Sequence, residues 1–473
     1  MKFNSIMLAG ASILKIWNII RSGKAKVVSL LVLLMAMFLL NIVSAEAASI
    51  YYVRSDAGGG NNGSDWNNAY TALPATLVRG AIYYVADGNY SGRAFNTPSS
   101  GSLLITIKKA TALDHGTNSG WSSTYGDGQA IFNGQLAFNS SYWLVDGVTG
   151  GGPGSWDTGF GIKVIETGNT NAIIKIGTTA TESKHQDITI RHIEMQGKGS
   201  VATGGGSASN DGVGLYGGSS FTLSYAWMHG IGRCPVFGYS RGVAVLEYTY
   251  VSSFYGSDAV HSEIASLQQG AVADFTWRYS LFTDVQSTGG IMWNNASNHN
   301  AHLYIYGNIF YRPLGATWNN ANGVIGGWTG SNGQDCYGMR IYNNTFINVN
   351  IRIFTDFMWR SGDNIVYNNI FYNSNPPGYS NIQTHDYNHY INSGTTQGEA
   401  NGTSAASGNP FVDFANLNFM LSAATTAGIT LPSPFNSDLL GNKRGADGKW
   451  DRGAIEFGGN NSPLKRPNPP TLY

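Results

Sequence analysis

One eight-position pattern of apolar and polar residues recurs down the middle of the chain. It reads ITIRHIEM ending at Met195, FTLSYAWM at Met228, AVLEYTYV at Val251, FTWRYSLF at Phe282, LYIYGNIF at Phe310, MRIYNNTF at Phe346 and NIVYNNIF at Phe371. The third position is always apolar (Ile190, Leu223, Leu246, Trp277, Ile305, Ile341, Val366), and so is the eighth. Such alternation marks strands with one side on an interior, and its return every 23 to 36 residues marks a solenoid. Propeller blades and helical repeats need periods of about 34 to 50 with different internal patterning. The pattern therefore predicts an all-β fold, a single-stranded right-handed parallel β-helix with capped ends. In the last three frames the sixth position is Asn308, Asn344 and Asn369. Coils in register would stack these amides into a bonded ladder.

After a loop, each frame is followed by a second short apolar segment. These are DGVGLYGG from Asp211, CPVFGY from Cys234, AVHSEIASLQ from Ala259, GGIMWNN from Gly289, GVIGGW from Gly323 and IRIFTDF from Ile351. They predict another parallel sheet, whose alternate residues point outward and which long loops can wall into a groove. A parallel stack has open ends that must be covered. Residues 70 to 80 are expected to form a short helix over the first, and residues 409 to 431 to cover the last.

Composition agrees with short strands and tight turns. Of 473 residues 62 are glycine, and only 12% are charged. Lys plus Arg equals Asp plus Glu at 28 each, so no global field favours nucleic acid or an anionic membrane. Lys24 and Lys26, the apolar run from Val27 to Val43 and the small residues to Ala48 have the layout of an export signal. Residues 1–47 thus read as a signal peptide or membrane anchor, 48–457 as the β-helix domain and 458–473 as a disordered tail, in a protein secreted or held at the cell surface. Membrane contact is expected only through an uncleaved first segment. Cys234 and Cys336 fall about three coils apart, roughly 14 Å at the strand spacing, which is too far for a bridge. Two free, buried thiols are expected.

The Asn-Asn-x-Phe coils resemble those of right-handed β-helix proteins of the pectate-lyase-like superfamily. The opening segment IYYVRSDAGGGNNGSDWNNAYTAL from Ile50, with AIYYVADGNYSG to Gly92, and the closing segment DLLGNKRGADGKWDRGAIEF from Asp438 to Phe457 are similar to theirs. The resemblance spans nearly all of the chain after residue 47. It implies the fold and an extracellular polysaccharide partner, but that scaffold serves lyases, hydrolases, epimerases and non-catalytic fibres. The sequence departs from the pectin-degrading members. It has no Asp-Asp pair or Gly-His-Gly segment of the polygalacturonase kind, and no close match to the aspartate-rich calcium strand of pectate lyases.

Candidate chemistry concentrates on the second set of strands. If Ile264 and Ser262 face inward, His261, Glu263 and Ala265 face out, placing an imidazole and a carboxylate on one exposed face. Neighbouring coils bring Arg233, Tyr216 and Tyr239 from one side and Trp293 from the other. Tyr216, Tyr239, Trp293 and Trp328 offer faces for sugar rings. A lyase needs a base, for which His261, or a Tyr or Arg, stands, with Glu263 beside it, and a positive partner next to the uronate, Arg233 or a calcium ion, for which Asp211 and Asp258 are the candidate ligands. A hydrolase would instead use Glu263 with Asp258 or Asp211. The leading expectation is β-elimination of a uronate-containing glycan, and the different-class rival is a non-catalytic adhesin or matrix protein. His192 and His229 read as structural, Trp227 and Trp277 as packing residues, and Asp335 and Asp356 as turn or edge residues.

Overall fold

The computed structural model describes residues 48–459 except 169–171, 179–184, 199–209, 218–219, 240, 256–262, 268–272, 284, 287–289, 296–297, 299, 313–323, 328–335, 350–362, 375–378, 380–381 and 383. The chain winds into a parallel β-helix whose strands form three ladders. The first runs from Ile50–Val53 through Ile82–Val85, Ile105–Lys109 and Trp143–Asp146 to Thr384–Asp386. The second runs from Gly88–Phe95 to Thr403–Ala405, and the third includes Ala172–Ile176, Asp211–Leu215, Val236–Gly238, Ala265–Leu267, Ile291–Trp293 and Ile325–Gly327. This third ladder is the second set of strands expected from the sequence; the segment from Ile351 lies outside the described residues.

Each eight-residue frame is two strand steps meeting at a corner, which the alternation alone did not reveal. The fifth position is the corner: His192, Tyr225, Tyr248, Tyr279, Gly307, Asn343 and Asn368 all have φ between 50° and 66°. Glycine and asparagine enter this left-handed region readily, whereas a bulky ring there is strained. The rings offset that cost by stacking coil on coil, His192 on Tyr225 at 4.8 Å, Tyr225 on Tyr248 at 4.9 Å and Tyr248 on Tyr279 at 5.5 Å.

Inside the corner runs the predicted ladder. Asn308, Asn344, Asn369 and Asn388 each receive the preceding residue's backbone N–H on Oδ1, starting from Ser280 N–H, at 2.9 to 3.0 Å. Each amide then donates to the next amide oxygen at 3.0 to 3.1 Å. The same column holds Ile193 and Ala226, then Thr249 and Ser280, in the earlier coils. Glu399 ends it, accepting from Asn388 Nδ2 at 2.7 Å and Asn388 N–H at 3.0 Å. The eighth position makes a second column, with Phe282, Phe310, Phe346, Phe371 and Tyr390 stacked 4.5 to 5.2 Å apart.

The caps differ from expectation. Residues 70 to 80 form turns and bends rather than a helix. The edge of the first strand is covered by an extended segment, with Tyr52 N–H donating to Gly63 O at 3.1 Å and Arg54 N–H to Tyr70 O at 2.8 Å. Alanines, Pro74 and β-branched Thr71 give this stretch no helical face, and backbone pairing to the open edge is the competing gain. The carboxyl-terminal segment covers a flank instead of an end. Phe411 packs on Tyr372, Phe419 on Tyr311 and Phe435 on Tyr342, while Trp450 Nε1 donates to Asn343 Oδ1 at 3.1 Å. This strap covers the flank from Tyr279 onward, where the Tyr279 hydroxyl donates to Pro434 O at 3.3 Å, while Tyr250 on the preceding coil packs against Trp156. Cys234 and Cys336 are both buried and form no disulfide, as expected.

Candidate functional site

The site is built by register on the third ladder. Val213 pairs with Val236, and Val236 with Ala265, so Asp211, Cys234 and Glu263 occupy one step on three successive coils. Arg233, just before Cys234, places Nε 2.7 Å from Asp211 Oδ1 and its second nitrogen on Oδ2. Such a two-point pair fixes the guanidinium plane. Cys234 holds the two carboxylates apart: its N–H donates to Asp211 Oδ1 at 3.2 Å and its thiol to Glu263 Oε2 at 3.7 Å.

Electrostatically these are the unusual carboxyls of the ladder. Burial pushes Asp211, which has no exposed surface, up to about 6 despite the opposing pull of Arg233. Burial likewise pushes Glu263, 4% exposed, up to about 7, against hydrogen bonds from Ser266 and Cys234. Glu263 is therefore poised to exchange a proton near neutrality, as a group in acid–base chemistry must be. The Cys234 thiol is pushed well up by burial and by both carboxylates, so it is no nucleophile.

Half-buried rings surround this core. Arg233 lies 4.1 Å over the Phe237 ring, Tyr216 sits 6.1 Å from both Phe237 and Tyr239, and Lys175 approaches the Tyr216 ring at 5.5 Å. The face thus combines two cations with three aromatic surfaces.

The structure brings together Asp211, Arg233, Tyr216, Tyr239 and Glu263, but Glu263, expected on an exposed face, is buried beside the Cys234 thiol. It does not bring Trp293, which is wholly buried in the core with Nε1 donating to Tyr337 O at 3.0 Å, so that ring is no sugar platform. Its strand Ile291–Trp293 is three residues long, too short for alternation to show which end faces in. Ala265, expected outward, is also in the core, because the strand starts there and the parity counted from His261 does not carry through the preceding turn. Asp211 was a candidate calcium ligand, but its oxygens serve Arg233 and a backbone N–H. Among the described residues no group of three or more His, Cys, Asp or Glu could hold a metal ion. His261, Asp258 and Trp328 lie outside the described residues, as do Asp335 and Asp356.

Sequence reasoning passed over a second polar cluster, on the open part of the second ladder. Glu194 Oε1 lies 2.6 Å from Lys163 Nζ and 3.1 Å from His229 Nε2, and Gln129 Nε2 donates to Oε2 at 3.1 Å. These partners overcome burial and hold Glu194 down at about 2. His229, read as structural, bonds Glu194 here, and Trp227, read as a packing residue, stacks on it at 3.9 Å and packs against the cluster that holds Tyr250. The available signal was that Trp227, like Glu194, sits at position seven and His229 one step past the frame, alternating with the inward sixth and eighth positions. Trp277 is a core residue, as expected. No family model matches the chain, and no curated protein matches it.

Proposed function

We propose that the protein is an exported enzyme acting on an acidic polysaccharide, and that the third-ladder face cleaves a uronate-containing chain by β-elimination. The observation that carries this is a buried Glu263, its carboxyl pushed up to about 7, on the coil next to an Asp211-anchored Arg233, beside Tyr216, Phe237 and Tyr239. Arg233 and Lys175 supply the positive charge that a uronate carboxylate needs as the proton next to it becomes acidic. Ionised Glu263 accepts that proton; the electron pair forms the ring double bond and the glycosidic oxygen leaves, taking a proton from solvent. His261 remains a candidate partner to Glu263. The solenoid, its amide ladder and the two end segments support a place near the pectate-lyase-like proteins.

A binding-only reading has its own support. Asp211 is fully enclosed and Arg233 already paired, which also suits a rigid aromatic and cationic platform without chemistry. The two part on polygalacturonate, alginate and hyaluronate. We expect ultraviolet-absorbing unsaturated products from at least one. Binding without any product would establish the platform, and new reducing ends without unsaturation would assign hydrolysis with Glu263 as the acid.

A further inference from the structure

The open part of the second ladder carries a cleft of about 430 Å³, walled by residues 126–129 on one side and the loop through Thr149 and Thr158 on the other. That size is within the range of small-ligand sites. On its floor Glu194 is ion-paired with Lys163 and hydrogen-bonded to His229, and buried Lys109 is paired with Asp87 at 2.5 Å. What the cleft offers a ligand is therefore hydroxyls, amides and backbone groups of Gly126, Gly128, Gly159 and Gly161. Asp127 and Asp157 on the rim make it unfavourable to carboxylates. Register places Trp227 on the coil next to Glu194, its half-buried ring stacked with the His229 imidazole at 3.9 Å and with Tyr250 at 6.2 Å. Trp156 packs on Tyr250 at 6.4 Å.

We propose that this cleft is a second saccharide site, selective for neutral, hydroxyl-rich units, on a different face from the Arg233 site and with the opposite charge preference. Hydroxyls both donate and accept, matching a lining of compensated ion pairs, threonines and main chain. The site would hold a neutral stretch or branch of a glycan whose acidic stretch lies on the third ladder.

The test is calorimetric titration of the whole protein with neutral β-1,4-linked hexasaccharides of glucose, mannose and galactose. At least one should bind, and binding should fall about tenfold or more, or 1.4 kcal/mol, in both Thr158→Trp and Asp127→Lys. Excess trigalacturonate should leave it unchanged. Both substitutions are at exposed wall positions, so the fold is expected to survive either. No binding by any of the three sugars, undiminished binding in both variants, or displacement by trigalacturonate would overturn the proposal. Neutral-sugar binding in a protein that ignores polyuronates would uphold this site and remove the function proposed for the other.

Discussion

Glu263→Gln is expected to slow polyuronate cleavage by about 10²- to 10⁴-fold, the usual worth of a positioned base, while making the protein more stable at pH 8. The two effects share one cause. Burial raises the Glu263 carboxyl from its ordinary 4.5 to about 7, so the folded state holds that proton more tightly than the unfolded chain does. The resulting cost to stability is absent below about pH 4.5, grows as pH rises, and is complete above about 7. A neutral amide of the same shape avoids it, so the thermal midpoint should rise at pH 8 and not at pH 4. A residue kept for activity at the expense of stability behaves in this way. A purely structural glutamate would lose stability on substitution at every pH, and rate would follow stability.

The second large effect is expected at Asn344→Ala. Its amide accepts from Asn308 N–H and Asn308 Nδ2 at 3.0 and 3.1 Å, and donates to Ile305 O and Asn369 Oδ1 at 2.8 and 3.1 Å. Alanine leaves a buried N–H and an amide without their partners in a space water does not reach. With about 1 to 3 kcal/mol for each orphaned group, the loss should be about 3 kcal/mol or more. Denaturant unfolding checks this, with Asn133→Ala as reference. Asn133 is exposed and donates only to Asn89, at 3.3 Å, so its change should stay within about 0.5 kcal/mol. In a solenoid each coil leans on its neighbours, so the Asn344 lesion should spread to the coils of Asn308 and Asn369 before the amino-terminal coils respond.

The fold was legible where the chain repeats itself. Ile305 lies on Trp277 and Ile341, and Phe346 between Phe310 and Phe371, because residues at the same frame position meet at the same step of the next coil. The amide ladder followed from the same rule. The corner was readable in principle: position five runs His, Tyr, Tyr, Tyr, Gly, Asn, Asn, and the last three are residues that tolerate positive φ. What the repeat could not supply was anything outside the frame. The strap is aromatic without period, and the flank it covers is set by contacts such as Trp450 with Asn343, 107 residues apart. The candidate site was legible through register, which placed Asp211, Arg233 and Glu263 together. Parity failed at Trp293 and Ala265, in strands of three residues where one step reverses inside and outside. Frame register places Glu194 and His229 on adjacent coils, but Lys163 and Gln129, the other partners of Glu194, lie outside the frame, so the cluster was not legible as a whole.

The depth of the carboxylates connects fold to function. A stack of coils can hold Asp211 and Glu263 away from water because every coil repeats the same backbone path; on their coils and the one between, the interior is Ile193, Ala226 and Thr249 at the sixth frame position and Met195, Met228 and Val251 at the eighth. The same rigidity holds Arg233 against Asp211 while its face stays over Phe237. Raised carboxyls on a stiff scaffold are the condition for proton transfer at a fixed point on a long polymer.

The measurement that bears most directly on this account is the pH dependence of unsaturated-product formation from the best polyuronate, wild type beside Glu263→Gln. The account predicts a wild-type rate that rises with pH through an apparent midpoint near 7, with that rise missing from the residual activity of the variant. A wild-type profile with no group titrating near 7, or a Glu263→Gln profile superimposable on it, would contradict the account.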